Sequence, residues 1–491
     1  MASSRKRCRA RSNTLSRFNR GTSPAGQVPA SFAQAMDGLR AKYSPPSLAL
    51  ACSGGLDSMV LLKLAHDWCR DAGIALHAFH VHHGLSPNAD AWLAHCERSA
   101  AALGIGFDYR RVTIPDDGSG VEAAARKLRY GALGEMCRAH GVHLLLTAHH
   151  LDDQAETVLL QLLRGSGPAG LSGMDADNHA PGLLGSAEVV MARPLLSQSR
   201  AALEAWAAER GLGWVEDESN LDPRYARNAL RHQVMPALAA SFPGFQARLA
   251  RGAAHVAAAQ RLLDELAAQD LLACQQGAAI DLAYLAGLSL ERVDNFMRHL
   301  FSVRALAMPS TAWLNEMVSH LFSAREDAQL KVTHPGCHIR RHRGKLYLTP
   351  HLPELAGMRD PDDIGVIEKE GQAFRWQGEA SIAFPAYGGV LHFEPAAPGF
   401  DAAWLRGQTL VIDFRKGGER LKPAANRPSR SLKAHYQALG VPAWERERLP
   451  TVSRGADLLF AAGIGMDCSH WAEPAQGLIG LRWEANAASN V

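Results

Sequence analysis

The sequence has 491 residues, of which 47% are hydrophobic and 21% charged, and its formal net charge is +3. A chain of this length is too long for one hydrophobic core, so about two to four domains are expected. No apolar run approaches the roughly 18 residues of a membrane span, so we expect no membrane partner. The eight cysteines contain no C-x-x-C pair. This pattern argues against a disulfide scaffold, a zinc knuckle and an iron–sulfur site, and it favours a cytoplasmic protein.

Positive charge is concentrated first at the N-terminus, where residues 1–20 contain seven Lys or Arg and no acid. We predict that residues 1–30 form a disordered basic tail. Contact with an RNA backbone is an alternative. An acid-poor segment rich in Arg and Ser also resembles a transit peptide, although this one has no clear amphipathic repeat. A first helix is predicted over 31–43.

A buried strand, a glycine turn and a helix follow in the stretch S-L-A-L-A-C-S-G-G-L-D-S, residues 47–58. The continuous apolar run before Cys52 predicts a strand buried on both faces, and helical spacing begins at Asp57. Gly54 and Gly55 therefore lie in a turn that allows a ligand to approach the backbone, while the first helical N–H groups face an anion. Ordinary turn chemistry would explain a Gly-Gly pair alone. The whole stretch favours a phosphate-binding turn, and it lacks the G-x-x-x-x-G-K-[ST] of a Walker-type loop.

Histidines follow the second predicted strand, which covers 73–81. His80, His82 and His83 lie within four residues, but neighbours on a strand point to opposite faces, which suits metal chelation poorly. The alternative is a loop at the carboxyl end of a parallel strand, where adenine could bind. A helix and a third strand are predicted next, over 89–103 and 107–112.

Two arginines share one face of the helix predicted over 122–133, because Arg126 and Arg129 are three residues apart. Such arginines are commonly solvated or paired with surface acids. Beside an ATP site they would instead hold a phosphate or a developing negative charge.

Acids cluster where the strand predicted over 142–148 leads into a helix that begins near Leu151. Asp152 and Glu156 are four residues apart, and Asp153 and Glu156 are three apart. Acids in a first helical turn suit the helix dipole. At the carboxyl end of a parallel strand, facing a phosphate turn, they could also hold Mg²⁺ or a substrate ammonium.

The second half of the chain has a different character. A polar segment with Arg227 and Arg231 is typical of a capped helix. Helical periodicity then dominates, although residues 334–348 alternate like strands. After a linker at 350–363, short strands indicate a small mixed domain. Its residues 415–433 contain seven basic residues against one acid, Glu419, which a solvated loop or an RNA-backbone contact would explain.

The motifs resemble those of a known superfamily and of one family within it. S-G-G-L-D-S resembles the pyrophosphate loop (PP-loop) of the ATP pyrophosphatase superfamily, whose members split ATP between the α and β phosphates. H-V-H-H-G-L, E-A-A-A-R-K-L-R-Y, A-H-H-L-D-D-Q-A-E-T and L-L-R-G-S-G-P-A-G-L-S-G-M follow in one order. Together with W-V-E-D-E-S-N-L-D-P-R-Y-A-R-N-A-L-R they look like the tRNA(Ile)-lysidine synthetase family over roughly residues 47–250. F-R-K-G-G-E-R-L-K-P extends the likeness more loosely towards the C-terminus.

The resemblance implies an ATP- and Mg²⁺-dependent ligase that joins free L-lysine to the wobble cytidine of a tRNA(Ile) with anticodon CAU, through an adenylated intermediate. A homodimer is also considered. The alternative is a PP-loop tRNA thiolation enzyme, which would need paired cysteines or a cluster. A decayed, non-enzymatic RNA-binding protein is the third hypothesis, and the intact S-G-G-L-D-S argues against it.

The implied site residues fall into four groups. ATP would be held by Ser53, Gly54, Gly55, Leu56, Asp57 and Ser58. Asp57 would bind Mg²⁺ and, with Arg126 and Arg129, would form the catalytic group. Asp153 and Glu156 would bind the ammonium groups of lysine, because paired carboxylates suit a ligand with two amines. The residues expected to contact tRNA are Arg227, Arg231, Arg415, Lys416, Arg420 and Lys422.

The expected fold class is α/β. A doubly wound parallel sheet forms the N-terminal PP-loop ATPase domain, and a helical domain and a small mixed α+β domain follow. The expected boundaries are 1–30 for the tail, 31–235 for the catalytic domain, 236–350 for the mainly helical domain and 364–485 for the tRNA-contacting C-terminal domain.

Overall fold

The computed structural model describes residues 24–84, 86–113, 121–216, 226–324, 330–351, 371–472 and 477–486. Residues 1–23 of the predicted tail and residues 352–363 of the predicted linker lie outside them. Residues 24–30 are helical rather than part of a tail, because the first helix begins at Pro24 and buries Ala25 and Val28. The chain divides into two compact units, Met1–Leu263 and Asp264–Val491.

The first unit is built on a six-stranded sheet with the order β3-β2-β1-β4-β6-β5. Every neighbouring pair is parallel except the edge pair β5 and β6, which is antiparallel. The strands are β1 (Ser47–Ala51), β2 (Ala75–His82), β3 (Gly106–Arg111), β4 (Leu144–Leu146), β5 (Asp177–His179) and β6 (Val190–Ala192).

Helices cover both faces of this sheet. They are α1 (Pro24–Tyr43), α2 (Leu56–Ala72), α3 (Ala89–Ala102), α4 (Val121–Ala139), α5 (Leu151–Leu163), α6 (Pro168–Leu171), α7 (Pro181–Leu184), α8 (Arg200–Glu209), α9 (Ala226–Ala229) and α10 (Met235–Ser241), with a π-helical turn at Leu230–Val234 between the last two. Leu48 and Leu50 of β1 pack into the core that contains α1, α2 and α8, whereas Ala49 points into the core beside α4 and α7. The continuous apolar run of β1 is therefore explained, since both of its faces are buried.

The order of the strands places a topological switch point at β1. From β1 the chain goes to β2 on one side, and β4 pairs with β1 on the other side. Helices that leave the carboxyl ends of β1 and β4 diverge there and leave a crevice, which is where open α/β sheets bind ligands.

The second unit combines helices with antiparallel sheets. The long α11 (Phe245–Cys274) contains the division between the units. Its next helices are α12 (Leu282–Ala286), α13 (Leu290–Val303) and α14 (Thr311–Ser323), which pack on a five-stranded sheet of order β7-β8-β11-β10-β9. Those strands are β7 (Gln275–Gln276), β8 (Ala279–Asp281), β9 (Lys331–His334), β10 (Cys337–His342) and β11 (Lys345–Thr349).

The remainder of the second unit is rich in β-structure. One sheet has the order β12-β15-β18-β19-β20, a second has the order β13-β14-β21, and β16 pairs with β17. The strands are β12 (Gln372–Phe374), β13 (Ser381–Phe384), β14 (Gly389–Asp401), β15 (Leu410–Phe414), β16 (Arg420–Leu421), β17 (Arg430–Ser431), β18 (Pro450–Arg454), β19 (Asp457–Ala461), β20 (Gly465–Met466) and β21 (Leu478–Ala485). The helices are α15 (Ala402–Arg406), α16 (Leu432–Ala438) and α17 (Ala443–Arg446).

The predicted fold class is confirmed: a mostly parallel doubly wound sheet comes first, and helical and β-rich parts follow. Among the helices that the structure describes, none combines the length and the apolar character needed to cross a membrane.

Candidate active site

The glycine turn that follows β1 is shaped by its surroundings. Gly54 has φ +86°, in the region that disfavours L side chains, and a Cβ there would lie 3.0 Å from Cγ2 of Val215 and 3.2 Å from Sγ of Cys96. The backbone N–H of Val215 donates to the Gly54 carbonyl at 3.0 Å. Ser58 Oγ donates to the Gly55 carbonyl at 2.9 Å, and Ser53 Oγ donates to Ser58 Oγ at 3.2 Å. The turn therefore holds a fixed shape at the start of α2.

The start of α2 suits an anion. Gly55 is its N-cap, and within the described residues no side chain caps the first turn. The first N–H groups of a helix have no partner inside the helix and lie at the positive end of its dipole. An uncapped start beside a glycine turn is thus an appropriate place for phosphate oxygens.

A cavity of about 720 Å³ opens at this turn. Its size is in the range of small-molecule sites. Predicted site residues that line it are Ser53, Gly55, Leu56, Asp57, Ser58, Arg129, Asp153, Glu156 and Arg231. Gly54, Arg126 and Arg227 do not line the cavity, but each contacts or neighbours a residue that does. Gly54 precedes Gly55, Arg126 lies over the Tyr130 ring, and Arg227 donates to Glu156.

Asp57 lies in this cavity with one carboxylate oxygen unsatisfied. Its Oδ2 is 3.5 Å from Nε2 of His150 and 3.6 Å from Nη1 of Arg200. Its Oδ1 is buried and has no hydrogen-bond partner among the described residues. A buried carboxylate oxygen without a donor, next to a phosphate-type turn, suits a divalent cation that is shared with phosphate oxygens.

His150, which the sequence analysis did not single out, connects Asp57 to the acids of α5. It is the N-cap of α5, where its Nδ1 accepts from the Asp153 N–H at 3.4 Å and its own N–H donates to Asp153 Oδ2 at 3.1 Å. Burial lowers the pKa of His150, but the carboxylates of Asp57, Asp153 and Asp152 outweigh burial and raise the pKa above its ordinary value. The signal for this residue was present in A-H-H-L-D-D, directly after β4.

Its neighbour His149 has the opposite behaviour. Burial is the main reason that the pKa of His149 is lowered to about 3, and Arg193, Arg227 and Arg126 add to the effect. The ring Nδ1 lies 2.9 Å from Oγ1 of Thr147. The pKa values of the two adjacent imidazoles are therefore shifted in opposite directions, and the His149 ring is neutral at neutral pH.

The two carboxylates predicted to bind lysine are paired with the two arginines predicted to contact tRNA. Arg231 Nε donates to Glu156 Oε1 at 2.6 Å, and its Nη2 donates to Glu156 Oε2 at 3.0 Å and to Asp153 Oδ1 at 3.1 Å. Arg227 Nε donates to Glu156 Oε2 at 2.8 Å, and its Nη2 donates to Asp153 Oδ1 at 3.0 Å. The Glu156 side chain is only 1% exposed. Burial would raise the pKa of Asp153, but His150 and Arg227 outweigh it and lower the pKa, so this acid is ionised.

The Asp152 carboxylate has a structural role, unlike the carboxylate of Asp153. Its Oδ2 accepts from the backbone N–H of Arg200 at 2.8 Å, and its Oδ1 accepts from Nε2 of Gln246 at 3.1 Å. The carboxylate therefore ties α5 to α8 and α11. The acid cluster thus combines a structural role for Asp152 with the paired acids Asp153 and Glu156 in the cavity.

Arg126 and Arg129 both lie over the ring of Tyr130, at 4.9 and 5.2 Å from its centroid. Only Arg129 of the two lines the cavity. The metal alternative for His80, His82 and His83 gains no support, since among the described residues no group of three or more His, Cys, Asp or Glu is arranged to hold a metal ion.

The predicted tRNA-contacting residues of the second unit lie between β15 and β16, on β16 and directly after it. Gly417 and Gly418 have positive φ values there, and the Glu419 carboxylate accepts from the N–H groups of Lys416 and Gly417. Arg420 Nη2 donates to the Ser429 carbonyl at 2.6 Å, next to β17. Arg415, Lys416, Arg420 and Lys422 therefore lie on one short segment that includes β16.

Comparison with known proteins first identifies the class of domain that the first unit contains. Residues 29–238 match the PP-loop domain, which agrees with a doubly wound sheet, a glycine turn at the switch point and a cavity beside it. The first unit is therefore an ATP-using PP-loop domain.

The rest of the chain narrows the class to one family. Residues 280–347 match the TilS substrate binding domain, and residues 410–483 match the TilS substrate C-terminal domain. The chain is similar to the tRNA(Ile)-lysidine synthase of Ralstonia nicotianae, with 43% identity over 86% of this chain and 90% of that protein. It is also similar to those of Burkholderia pseudomallei, with 45% identity over 86% and 89%, and Alkalilimnicola ehrlichii, with 38% identity over 88% and 92%. The chain belongs to the tRNA(Ile)-lysidine synthase family, as its motifs predicted.

Proposed function

We propose that the chain joins free L-lysine to C2 of the wobble cytidine of a tRNA(Ile) with anticodon CAU, and that it consumes ATP and releases AMP and pyrophosphate. Membership of the family supports this reaction. The observation that carries it for this chain is one cavity that contains both a glycine turn at a helix start and the carboxylate pair Asp153 and Glu156. An anionic nucleotide and a cationic amino acid can therefore meet in one place.

Two displacements make up the proposed reaction. In the first, O2 of the cytidine attacks the α-phosphate of ATP, and the bond to the bridging oxygen breaks so that pyrophosphate leaves. In the second, the ε-amine of lysine forms a bond to C2 and loses a proton, and the C2–O2 bond breaks so that AMP leaves with the oxygen. The modified base pairs with A instead of G, which assigns the tRNA to isoleucine.

The chain's own groups divide the work of the first step. Ser53, Gly54, Gly55, Leu56 and Ser58 would bind the pyrophosphate portion through backbone N–H and hydroxyl groups. Arg129, which lines the cavity, would stabilise the negative charge that develops at the α-phosphate, with Arg126 one helical turn away. Each of these donors acts on charge that grows during the transfer.

Asp57 fits the predicted Mg²⁺. The unsatisfied buried oxygen Oδ1 is the group that would bind the ion. Mg²⁺ is commonly held by one or two carboxylates and completed by phosphate oxygens and water. When bound, it would neutralise charge on the phosphates and make pyrophosphate a better leaving group.

The tRNA would be held by charge at several places. Arg415, Lys416, Arg420 and Lys422 lie on one short basic segment around β16 in the second unit. Such groups neutralise phosphates and make binding sensitive to salt. Arg227 and Arg231 remain candidates for RNA contacts, but only when they leave the carboxylates to which they are bound.

The deciding experiment uses radiolabelled lysine, ATP and a tRNA(Ile) transcript with anticodon CAU. Label should enter RNA, and pyrophosphate should be released, only when all three are present. Absence of label from the RNA under these conditions would overturn the proposal. Transfer of radiolabelled sulfur to the tRNA instead would favour the thiolation alternative.

Two variants on α2 sharpen the result. Asp57→Ala should abolish the label and leave tRNA binding largely intact. Asp67→Ala is the matched control, because Asp67 lies on the same helix and pairs with Lys63 at 2.8 Å on its surface side. The control should keep near-normal activity. Equal losses in the two variants would mean that Asp57 has no special role.

The proposed setting is the cytoplasm, because tRNA, ATP and free lysine are available there. The seven described cysteines are unpaired, as a reducing compartment requires. A homodimer stays a prediction, and light scattering on the purified chain tests it.

A further inference from the structure

The carboxylate pair expected to bind lysine already accepts hydrogen bonds from the protein's own cations. Asp153 Oδ1 accepts from both arginines, and Asp153 Oδ2 accepts from the His150 N–H. Glu156 Oε1 accepts from Arg231, and Glu156 Oε2 accepts from both arginines. Each of the four carboxylate oxygens therefore already has a donor, and Asp153 Oδ1 and Glu156 Oε2 have two each, so a substrate ammonium that binds these two oxygens competes with a guanidinium.

The charges lead to the same conclusion. Two carboxylates face two guanidinium groups, so the cluster of Asp153, Glu156, Arg227 and Arg231 is balanced. A lysine ammonium added to it would place three cations on two acids. Exchange of one cation for another keeps the balance, and it avoids leaving a buried charge without a partner, which is costly.

The cavity shows which arginine can be exchanged. Arg231 lines it together with Asp153 and Glu156, whereas Arg227 is absent from its lining. A substrate that enters from the nucleotide site therefore meets Arg231 first. Arg227 would stay bound to the acids as their counter-ion while lysine occupies the subsite.

The backbone that carries Arg231 is also unusual. Arg231 lies on the π-helical turn Leu230–Val234, between α9 and α10. Such turns are uncommon and are found frequently at functional sites. Leu230 and Met235, at the two ends of the turn, are buried against Ala155 of α5. The turn is thus anchored at both ends by apolar side chains, while its one cavity-facing cation is held by polar contacts.

We propose that the Arg231 guanidinium occupies the substrate ammonium subsite in the tRNA-free chain, and that lysine binds by displacing it while Arg227 stays. This inference rests on the proposed function and makes it more specific. The acid pair then receives one ammonium group of lysine, not two. A ligand can enter the subsite only if its cationic group competes with the Arg231 guanidinium for the two carboxylates.

Equilibrium dialysis of labelled lysine against the full chain without tRNA tests the exchange. Arg231→Gln should bind lysine at least about fivefold more tightly than the unchanged protein, because the competing cation is gone. Arg231→Lys keeps a competing cation and should stay within about twofold of the unchanged protein. Arg227→Gln should give no tightening. Weaker or unchanged binding by Arg231→Gln, or equal tightening by Arg227→Gln, would overturn the inference.

A second measurement uses the unchanged protein, so that it does not depend on the folding of a variant. Phenylglyoxal modifies accessible arginines, and mass spectrometry locates the modified residue. Lysine should accelerate modification of Arg231 and leave Arg227 unaffected. Protection of Arg231 by lysine, or no change at all, contradicts displacement.

The dialysis experiment also has a control variant, Arg298→Gln. It removes an arginine bound to Asp294 in the second unit and should not change lysine affinity.

Failure of this inference is distinguishable from failure of the proposed function. If the unchanged protein transfers lysine to tRNA but Arg231→Gln does not tighten lysine binding, only the exchange is wrong. If the unchanged protein neither binds lysine nor transfers it, the proposed function is wrong and the exchange falls with it.

Discussion

Gly54→Ala tests the shape of the phosphate turn. At φ +86° an alanine is strained by roughly 1–2 kcal/mol. Its Cβ would also lie 3.0 Å from Val215 and 3.2 Å from Cys96, and overpacking of a close-packed site costs a further 1–3 kcal/mol, approximately. The free energy of unfolding should therefore fall by about 2–5 kcal/mol. ATP affinity should fall as well, because relief of the clash moves the backbone that faces the phosphates.

Gly73→Ala is the matched control. Gly73 ends α2 with φ +68°, and a Cβ there would meet no atom within 4 Å. The two variants share the left-handed strain and the lower entropy of the unfolded chain, so their difference isolates the packing term. Urea unfolding followed by circular dichroism measures that difference, and titration with ATP measures affinity. If Gly54→Ala loses no more stability than Gly73→Ala and binds ATP normally, the contacts with Val215 and Cys96 do not constrain the turn.

Three other predictions concern pH, charge at the α-phosphate and salt. The pKa of His149 is lowered to about 3 from an ordinary 6.5, so its contribution to stability is present above pH 6.5 and is lost as the pH falls towards 3. In His149→Asn the free energy of unfolding, measured with urea, should therefore change less between pH 7 and pH 4. Arg129→Gln should lower kcat by about 100- to 1000-fold, whereas Arg126→Gln should cost far less because only Arg129 lines the cavity; similar losses in single-turnover assays would contradict this. Lys422→Ala should reduce the slope of log affinity for tRNA against log salt by about 1, and an unchanged slope in filter binding would remove Lys422 from the interface.

The local parts of the fold could be predicted from the sequence. The strand predicted over 47–52 is β1, Ser47–Ala51, and the helix predicted to begin at Asp57 begins at Leu56. Both follow from residues that are adjacent in the chain. The helix predicted over 122–133 is longer in the structure, Val121–Ala139, because Met136 and Cys137 pack into the core under the sheet.

Pairings between distant segments could not be predicted. The helical periodicity of the middle of the chain does not show that α11 stops at Cys274, where Gln275–Gln276 pairs with β8. In turn β8 pairs with β11, more than sixty residues further along. Strands of two or three residues carry too few side chains to show a periodicity, and their hydrogen bonds depend on partners that the local sequence does not reveal.

The same limit applied to the site. The motif around Asp153 and Glu156 indicated a cation site, but the cations bound there, Arg227 and Arg231, come from a segment more than seventy residues away. The sequence analysis assigned those arginines to tRNA. Their spacing of four residues indicated a shared helical face, and only the fold shows that this face meets the acids of α5.

Charge balance also bears on the proposed exchange of cations in the cavity. Its lining includes five carboxylates, from Asp57, Asp152, Asp153, Glu156 and Glu216, against three arginines, from Arg129, Arg200 and Arg231. A nucleotide adds several negative charges to this space, and those charges cannot be accommodated beside bare acids at a low local dielectric constant. In the proposed reaction each acid would therefore keep a partner: a divalent ion for Asp57 when the phosphates arrive, and an ammonium for the Asp153–Glu156 pair when the Arg231 guanidinium leaves. If both arginines stayed in place, the ammonium would be a third cation on these two acids.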